Sequence, residues 1–408
     1  MQGARRQTRD ECGEWFSARL GEDKYQTLSN PAEPQDEPAE PSDPSIELNL
    51  FQWKSPSFKQ EDRGASTSPE FPESLIDPLE TALDETEKWL VQNQPAEFRE
   101  ALLALYFRMH SFRKTVELYD ERFVTIIEGA PAPKVRLFCL DPSLLLRKAL
   151  ARGKAAVFFS ATLTPIDYYR TLLGGEPDDP VLQLSSPFPP ENLAVLIQDR
   201  IQTHFKGRAE SLVDVVEAIG SLVSGRPGNY LVYFPSYQYL NSVLQEFQVQ
   251  HPKVPVLVQR PGMTEPERDA FLAAFSVEHG EPLVGFAVLG GIFGEGIDLV
   301  GERLIGAVIV GVGLPQICVE RDLIRDYFQQ QNVVGFDYAY TFPGMNRVLQ
   351  AIGRVIRSET DRGVVLLIDA RFNEIRYRRL FPAWWKYLRV RHADGLREAI
   401  GSFWKQMS

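Results

Sequence analysis

At 408 residues and 44% hydrophobic content the chain is ordinary for a globular protein and long enough to bury the cores of two domains. A net charge of −11 argues against a general polyanion binder, since phosphate contacts need Lys and Arg. Three scattered cysteines, Cys12, Cys139 and Cys318, give neither a disulfide framework nor a CxxC metal site, so they are expected to be reduced and no metal ligands are named. The longest apolar run, near Ile305–Leu314, is far below the ~20 residues that a bilayer-spanning helix needs. No charged-then-apolar leader opens the sequence, and the expected compartment is the cytoplasm, without a membrane partner.

In chain order, the stretch from Leu28 to about Ser74 is rich in Pro, Ser, Glu and Asp, with too few apolar residues to offset ordering entropy. It reads as a disordered acidic linker, and residues 1–71 are set apart on that ground. Residues 1–70 hold 14 Asp and Glu against 8 Lys and Arg, whereas residues 335–408 hold 13 Lys and Arg against 7 Asp and Glu. A basic surface is therefore expected at the C-terminal end. Helical spacing comes next, over Leu75–Gln92 and Ala96–Tyr119, where Phe98, Leu102, Leu105 and Met109 recur on one face. These form a small helical unit, residues 72–133.

Two short continuous apolar runs, Val135–Leu140 and Ala155–Ala161, then have the character of fully buried strands. Beyond them strands and helices alternate: LAVLIQ, a helix near Ser211–Val223, YLVYF, a helix through Leu240–Phe247, VPVLVQ, a helix near Pro266–Phe275, LVGFAVL and IGAVIVGV. A helix from about Tyr338 to Ile356, the strand Val364–Asp369 and a basic helical end complete the pattern. Strands separated by helices of this length indicate right-handed crossovers and an α/β, doubly wound parallel sheet.

Four segments carry candidate chemistry. In QAIGRVIR, helical geometry puts Gln350, Arg354 and Arg357 on one face, with Leu349, Ile352 and Ile356 toward the sheet. Two planar guanidiniums beside an amide suit a polyphosphate, although arginines alone also suit a solvated face. In GEGIDL, after the strand LVGFAVL, Gly294 and Gly296 allow close backbone approach, and Glu295 and Asp298 can orient a hydroxyl, a water or an arginine. A plain tight turn has the same composition. Ser160, Ala161 and Thr162 end an apolar run with small hydroxyl-bearing residues, suited to a relay between lobes or simply to a strand terminus. Phe234, Ser236 and Tyr237 close the strand YLVYF, where aromatics either stack on bases or belong to the core.

Taken in order, SAT, YFPSY, GEGID and QAIGRVIR resemble motifs III to VI of the DinG/XPD-type branch of superfamily 2 helicases. VRLFCLDPS is similar to that family's re-entry from its helical Arch insertion, and the resemblance covers residues 72–390. It implies a RecA-like C-terminal lobe at 167–408, an Arch-like remnant at 72–133, and first-lobe strands at 134–166. It further implies that Arg354 and Arg357 are arginine fingers, Gln350 a γ-phosphate contact, and Gly294, Glu295, Gly296 and Asp298 nucleotide-side residues. Ser160, Ala161 and Thr162 would be the coupling element, and Phe234, Ser236 and Tyr237 would meet single-stranded DNA. The family unwinds DNA 5′ to 3′ with ATP and Mg²⁺, in repair or replication.

The phosphate cradle G-x-x-x-x-G-K-[ST] is missing from the sequence. The nearest approach, Gly220–Arg226, has Arg in place of Lys and Pro227 in place of Ser or Thr. No Asp-Glu pair comes after an apolar strand, and three cysteines cannot stand for the family's four-cysteine iron–sulfur domain. The expectation is a truncated or split motor that meets ATP and Mg²⁺ through a separate first lobe. The alternative is a catalytically inactive module that binds single-stranded DNA or a protein.

Overall fold

A computed structural model describes residues 65–129, 134–276, 280–294, 299–331 and 333–406, with the backbone of two short strands at 46–47 and 59–60. Most of the expected linker therefore lies outside the described residues. The chain divides into two compact units, residues 1–141 and 142–408.

The first unit is built on a five-stranded antiparallel sheet. Its strands are β1 (Ile46–Glu47), β2 (Lys59–Gln60), β3 (Ala65–Ser68), β4 (Phe123–Glu128) and β5 (Lys134–Cys139), in the spatial order β1-β5-β4-β3-β2. The helices Ile76–Val91 and Arg99–Val116 match the helical spacing of the sequence. Their Leu79, Leu83, Tyr106, Met109 and Phe112 bury with Val135 and Leu137 of β5 in one core.

Two corrections arise in this unit. Ala65–Ser68, inside the stretch taken as linker, is a strand paired with β4, with Ser66 opposite Ile127 and Thr67 opposite Ile126. The run Val135–Leu140, expected among first-lobe strands, instead pairs with Phe123–Glu128, with Val135 opposite Ile127 and Leu137 opposite Thr125. A partner only a few residues away satisfies the donors and acceptors along one edge of the strand, and β1 pairs with Lys134 and Val135 on the other.

The second unit holds a seven-stranded, wholly parallel sheet. Strands β6 (Leu193–Gln198), β7 (Asn229–Phe234), β8 (Val256–Val258), β9 (Leu283–Val288), β10 (Gly306–Val310), β11 (Gly363–Ile368) and β12 (Tyr387–Arg389) lie in the order β12-β6-β11-β10-β7-β9-β8. The period of two is plain in the packing. Val195, Ile197, Leu231, Tyr233, Ala307, Ile309, Val365 and Leu367 bury on one face, with Phe271 and Val348. Leu196, Tyr230, Val232, Phe234, Val308, Val310, Leu366 and Ile368 bury on the other, with Val216, Leu240 and Ile400. Helices thus cover both faces, which is why these strands are almost uniformly apolar. The doubly wound α/β fold expected from the sequence is the one observed.

Two departures matter for function. Ala155–Ala161 is not a strand: Val157 is 82% and Phe159 90% exposed. A run apolar on both sides needs neighbours on both, and among the described residues none pairs with it. The helix expected to run to Ile356 is α-helical only over Phe342–Ile352. A π-helical turn, Asp337–Thr341, precedes it, and Gly353 caps its end. Among the described residues no helix is long and apolar enough to cross a membrane.

Candidate functional site

All seven strands are parallel, so the loops after Gln198, Phe234, Val258, Val288, Val310 and Ile368 emerge at one edge of the sheet, where ligands of such sheets bind. The turn after β9 is its most constrained part. Gly290 has φ +73°, and a Cβ built on it would lie 2.8 Å from Arg347 Nε, so the glycine is what admits the guanidinium. At Gly291 a Cβ would meet Gln259 Nε2 at 2.8 Å. Gln259 is buried; its Oε1 accepts from the Val288 amide at 2.8 Å, and its Nε2 donates to the Tyr237 hydroxyl at 3.0 Å. Thus Tyr237, after β7, and Gln259, after β8, together hold the start of the turn that leads into GEGIDL.

The other wall comes from the helix Phe342–Ile352 and the turn and loop after it. Arg347 and Gln350 project from the helix itself, one turn apart and half-buried. The Tyr233 hydroxyl donates to the Phe293 carbonyl at 2.9 Å. Burial pushes the titration of that hydroxyl up, and the nearby Arg354 charge opposes the shift, which puts Arg354 in the electrostatic reach of the same turn.

Because the helix ends at Ile352, Gln350, Arg354 and Arg357 do not share one helical face. Arg354 lies in the closing turn and Arg357 in the loop beyond it. Between them stands Gly353, the C-cap, which keeps right-handed angles (φ −62°) and whose low helix propensity weakens continuation of the helix. The loop is fixed by Asp361, a buried carboxylate that accepts from the Arg357 amide at 2.7 Å, the Ser358 amide at 2.9 Å and the Ser358 hydroxyl at 2.5 Å. Asp361 also accepts from the Gly301 amide at 3.2 Å, so one side chain ties the end of QAIGRVIR to the far end of the loop that carries GEGIDL.

Among the expected nucleotide-side residues, Gly294 is buried and donates its amide to the Gly291 carbonyl at 2.8 Å. Glu295, Gly296 and Asp298 lie outside the described residues. The coupling triplet is exposed at Ser160 and Ala161 and half-exposed at Thr162, whose amide donates to Ser160 Oγ at 3.2 Å. Beyond the triplet, the Thr164 carbonyl accepts from Nδ2 of Asn346, on the helix Phe342–Ile352, at 3.0 Å. Tyr168 then packs on Tyr338 and Phe342, with ring centroids at 4.9 and 5.0 Å.

Of the expected base-stacking residues, Phe234 is corrected. It is fully buried, stacked on Phe286 at 5.8 Å and edge-on to Tyr239, so its ring has no open face. Ser236 caps the helix Tyr237–Gln250 by accepting from the Tyr239 amide, and Tyr237 is half-exposed with its hydroxyl on Gln259. Sequence reasoning missed Arg347, Gln259 and Asp361. Arg347 was within reach, three residues before Gln350 on the same predicted helix. Gln259 and Asp361 act through contacts that cross 29 and 60 positions of the chain, to Val288 and Gly301, which no local pattern announces.

Residues 219–387 match the family model described as the helicase C-terminal domain. The second unit thus contains a helicase C-terminal region. The chain is 25% identical over 301 residues to the general transcription and DNA repair factor IIH helicase subunit XPD/RAD3 of Saccharomyces cerevisiae, covering 67% of this chain and 38% of that protein. It is 26% identical over 299 residues to a regulator of telomere elongation helicase 1 homolog of Aedes aegypti, covering 67% of this chain and 29% of that one. The chain therefore spans less than two-fifths of the length of these curated relatives. A solved XPD helicase superposes with a TM-score of 0.52 at 17% identity, over 86% of this chain and 58% of that chain, a likeness of fold. The helicase C-terminal match takes in the turn Gly290–Gly294, the helix Phe342–Ile352 and the loop to Asp361, the parts from which the site is built.

Proposed function

We propose that the second unit is the C-terminal motor lobe of an ATP-dependent 5′ to 3′ DNA helicase acting in repair or replication. The observation that carries this reading is the approach of Arg347 to the glycine turn after β9, from the helix that also bears Gln350. The residues present fit one side of a triphosphate site: an open backbone turn, guanidiniums and an amide, with no cradle of their own for the phosphates. Bound ATP with Mg²⁺ would supply the phosphoanhydride bond to be broken. In this reading Arg354, with Arg357 at the rim, neutralises charge that develops on the phosphoryl oxygens, a role worth about 10³–10⁵ in rate. Gln350 and Arg347 orient the terminal phosphate. Ser160, Ala161 and Thr162, tied to the helix through Thr164 and Asn346, pass the nucleotide state toward the strand-binding surface.

Because the sequence has no G-x-x-x-x-G-K-[ST], the lobe needs a first lobe that holds the phosphates and Mg²⁺, on whichever polypeptide that lobe resides. The test is ATP turnover by the pure chain, with and without a separately purified first lobe of an XPD-type helicase, in the presence of single-stranded DNA. Negligible turnover alone and DNA-stimulated turnover on mixing are expected. Turnover by the chain alone, abolished in Arg357→Ala, would overturn the split. Strand binding without turnover in either case would favour a catalytically inactive DNA-binding module.

A further inference from the structure

The loop after β6, residues Arg200–Ser211, is anchored at its base and open at its crown. The Ile201 carbonyl accepts from the Ala370 amide at 2.8 Å, and buried Thr203 donates its hydroxyl to buried Asp369. The Ser211 hydroxyl donates to the carbonyls of Gln202 at 2.7 Å and Gly207 at 2.9 Å, closing the loop on itself. Between these anchors a 3₁₀ turn, Phe205–Gly207, lifts Phe205 out of the surface, where it is 75% exposed, with His204 and Lys206 exposed on either side.

An exposed phenylalanine by itself is unremarkable on a protein surface. This one stands among cations. The Arg208 guanidinium lies 5.8 Å from the Phe205 ring centroid and 4.5 Å from that of Tyr239, and its Nε donates to the Thr203 carbonyl at 3.1 Å. Among the described residues no carboxylate forms an ion pair with Arg208 or Lys206. Arg371, by contrast, is neutralised by Asp369 through two hydrogen bonds of 2.9 and 2.8 Å. Burial lowers the titration of Arg208, and the Arg371 charge adds to that shift, so the two cations share one neighbourhood. Tyr239 links this loop to the helix start at Ser236, on the ligand-bearing edge of the sheet.

We propose that Phe205, Lys206 and Arg208 form a contact for single-stranded DNA, one base stacking on the Phe205 ring while the adjoining phosphates lie against Lys206 and Arg208. This rests on the helicase reading and moves its aromatic contact from buried Phe234 to exposed Phe205. The pre-anchored loop loses little entropy on binding, an aromatic face accepts any base, and the phosphate contacts are sequence-blind, as a translocating motor requires.

The test uses the full chain and a fluorescent oligo(dT), read by anisotropy across a salt series, with a 5-iododeoxyuridine version for photo-crosslinking and peptide mapping. Phe205→Ala is expected to weaken binding about fivefold or more, within the range that stacking one base on an aromatic ring spans. Phe205→Trp should restore it, and Arg208→Ala should lower the slope of log affinity against log salt by about one. Val249→Ala, an exposed apolar truncation on the helix Tyr237–Gln250, should change nothing. The crosslink should map to the peptide that contains Phe205. If wild type binds and Phe205→Ala binds equally well, or the crosslink maps elsewhere, the contact is wrong while the helicase reading survives. If wild type fails to bind oligo(dT) at any salt, both fall together.

Discussion

Val157–Phe159 and Ala307–Val310 are both short, uncharged and apolar, and the sequence makes the same strand of each. In the structure Ala307, Val308, Ile309 and Val310 are wholly buried, whereas Val157 and Phe159 are 82% and 90% exposed. The difference is neighbours. Ala307–Val310 lies between β7 and β11 with helices over both faces, while the earlier run has no strand beside it among the described residues. An apolar run specifies that it needs covering on two sides, not what will cover it. In the proposed helicase reading, a first lobe would supply that cover.

The largest effect tests the functional side of that contrast. In a complete motor, Arg354→Ala should lower the turnover number by about 10³–10⁵ while ATP affinity stays within about tenfold, because the guanidinium acts on transition-state charge. Equal losses in binding and turnover, from single-turnover and equilibrium titrations, would make it a docking charge instead. The next effect tests the structural side. Phe286→Ala, in the core beside Phe234 and Phe247, should cost about 3–5 kcal/mol in denaturant unfolding. Phe159→Ala should change stability by no more than about 0.5 kcal/mol. Comparable losses at both would mean that the earlier run is buried after all.

Asp361→Ala should cost about 1–3 kcal/mol, since it removes the buried carboxylate that accepts from the Arg357, Ser358 and Gly301 amides. It should also diminish whatever turnover depends on Arg357, whose backbone it holds. Unchanged turnover in the complete motor would remove Arg357 from the site. A smaller loss is expected at Tyr237→Phe, which deletes the hydrogen bond from Gln259 and should cost about 0.5–1.5 kcal/mol. No change by thermal unfolding would show that the Gln259 link does not help hold the Gly290 turn.

The same division separates the features that were legible in the sequence from those that were not. The parallel sheet of the second unit was legible because its strands other than the exposed edge strand Tyr387–Arg389 are apolar runs and its helices carry their own period. The order of its strands was not, because pairings such as β6 with β11 join residues about 170 positions apart, Leu193 opposite Gly363. The burial of Phe234 was legible in principle: it ends a run, Tyr230–Phe234, that is apolar at both parities and buried throughout. The break in QAIGRVIR was also announced, by Gly353. By contrast Phe123–Glu128, Ala65–Ser68 and the helix Val319–Gln330 passed without assignment, since their patterns are brief or largely polar. Gln259 and Asp361 are ordinary residues made important only by distant backbone amides.

The most direct measurement is amide hydrogen exchange on the full chain, read by mass spectrometry first alone and then with an added first motor lobe. Slow exchange is predicted at Val232 and Leu367 throughout, with fast exchange at Phe158 and Phe159 that slows only when the lobe is added. Equal protection at all four positions in the monomeric chain alone would contradict this, since the run would already be covered without a partner.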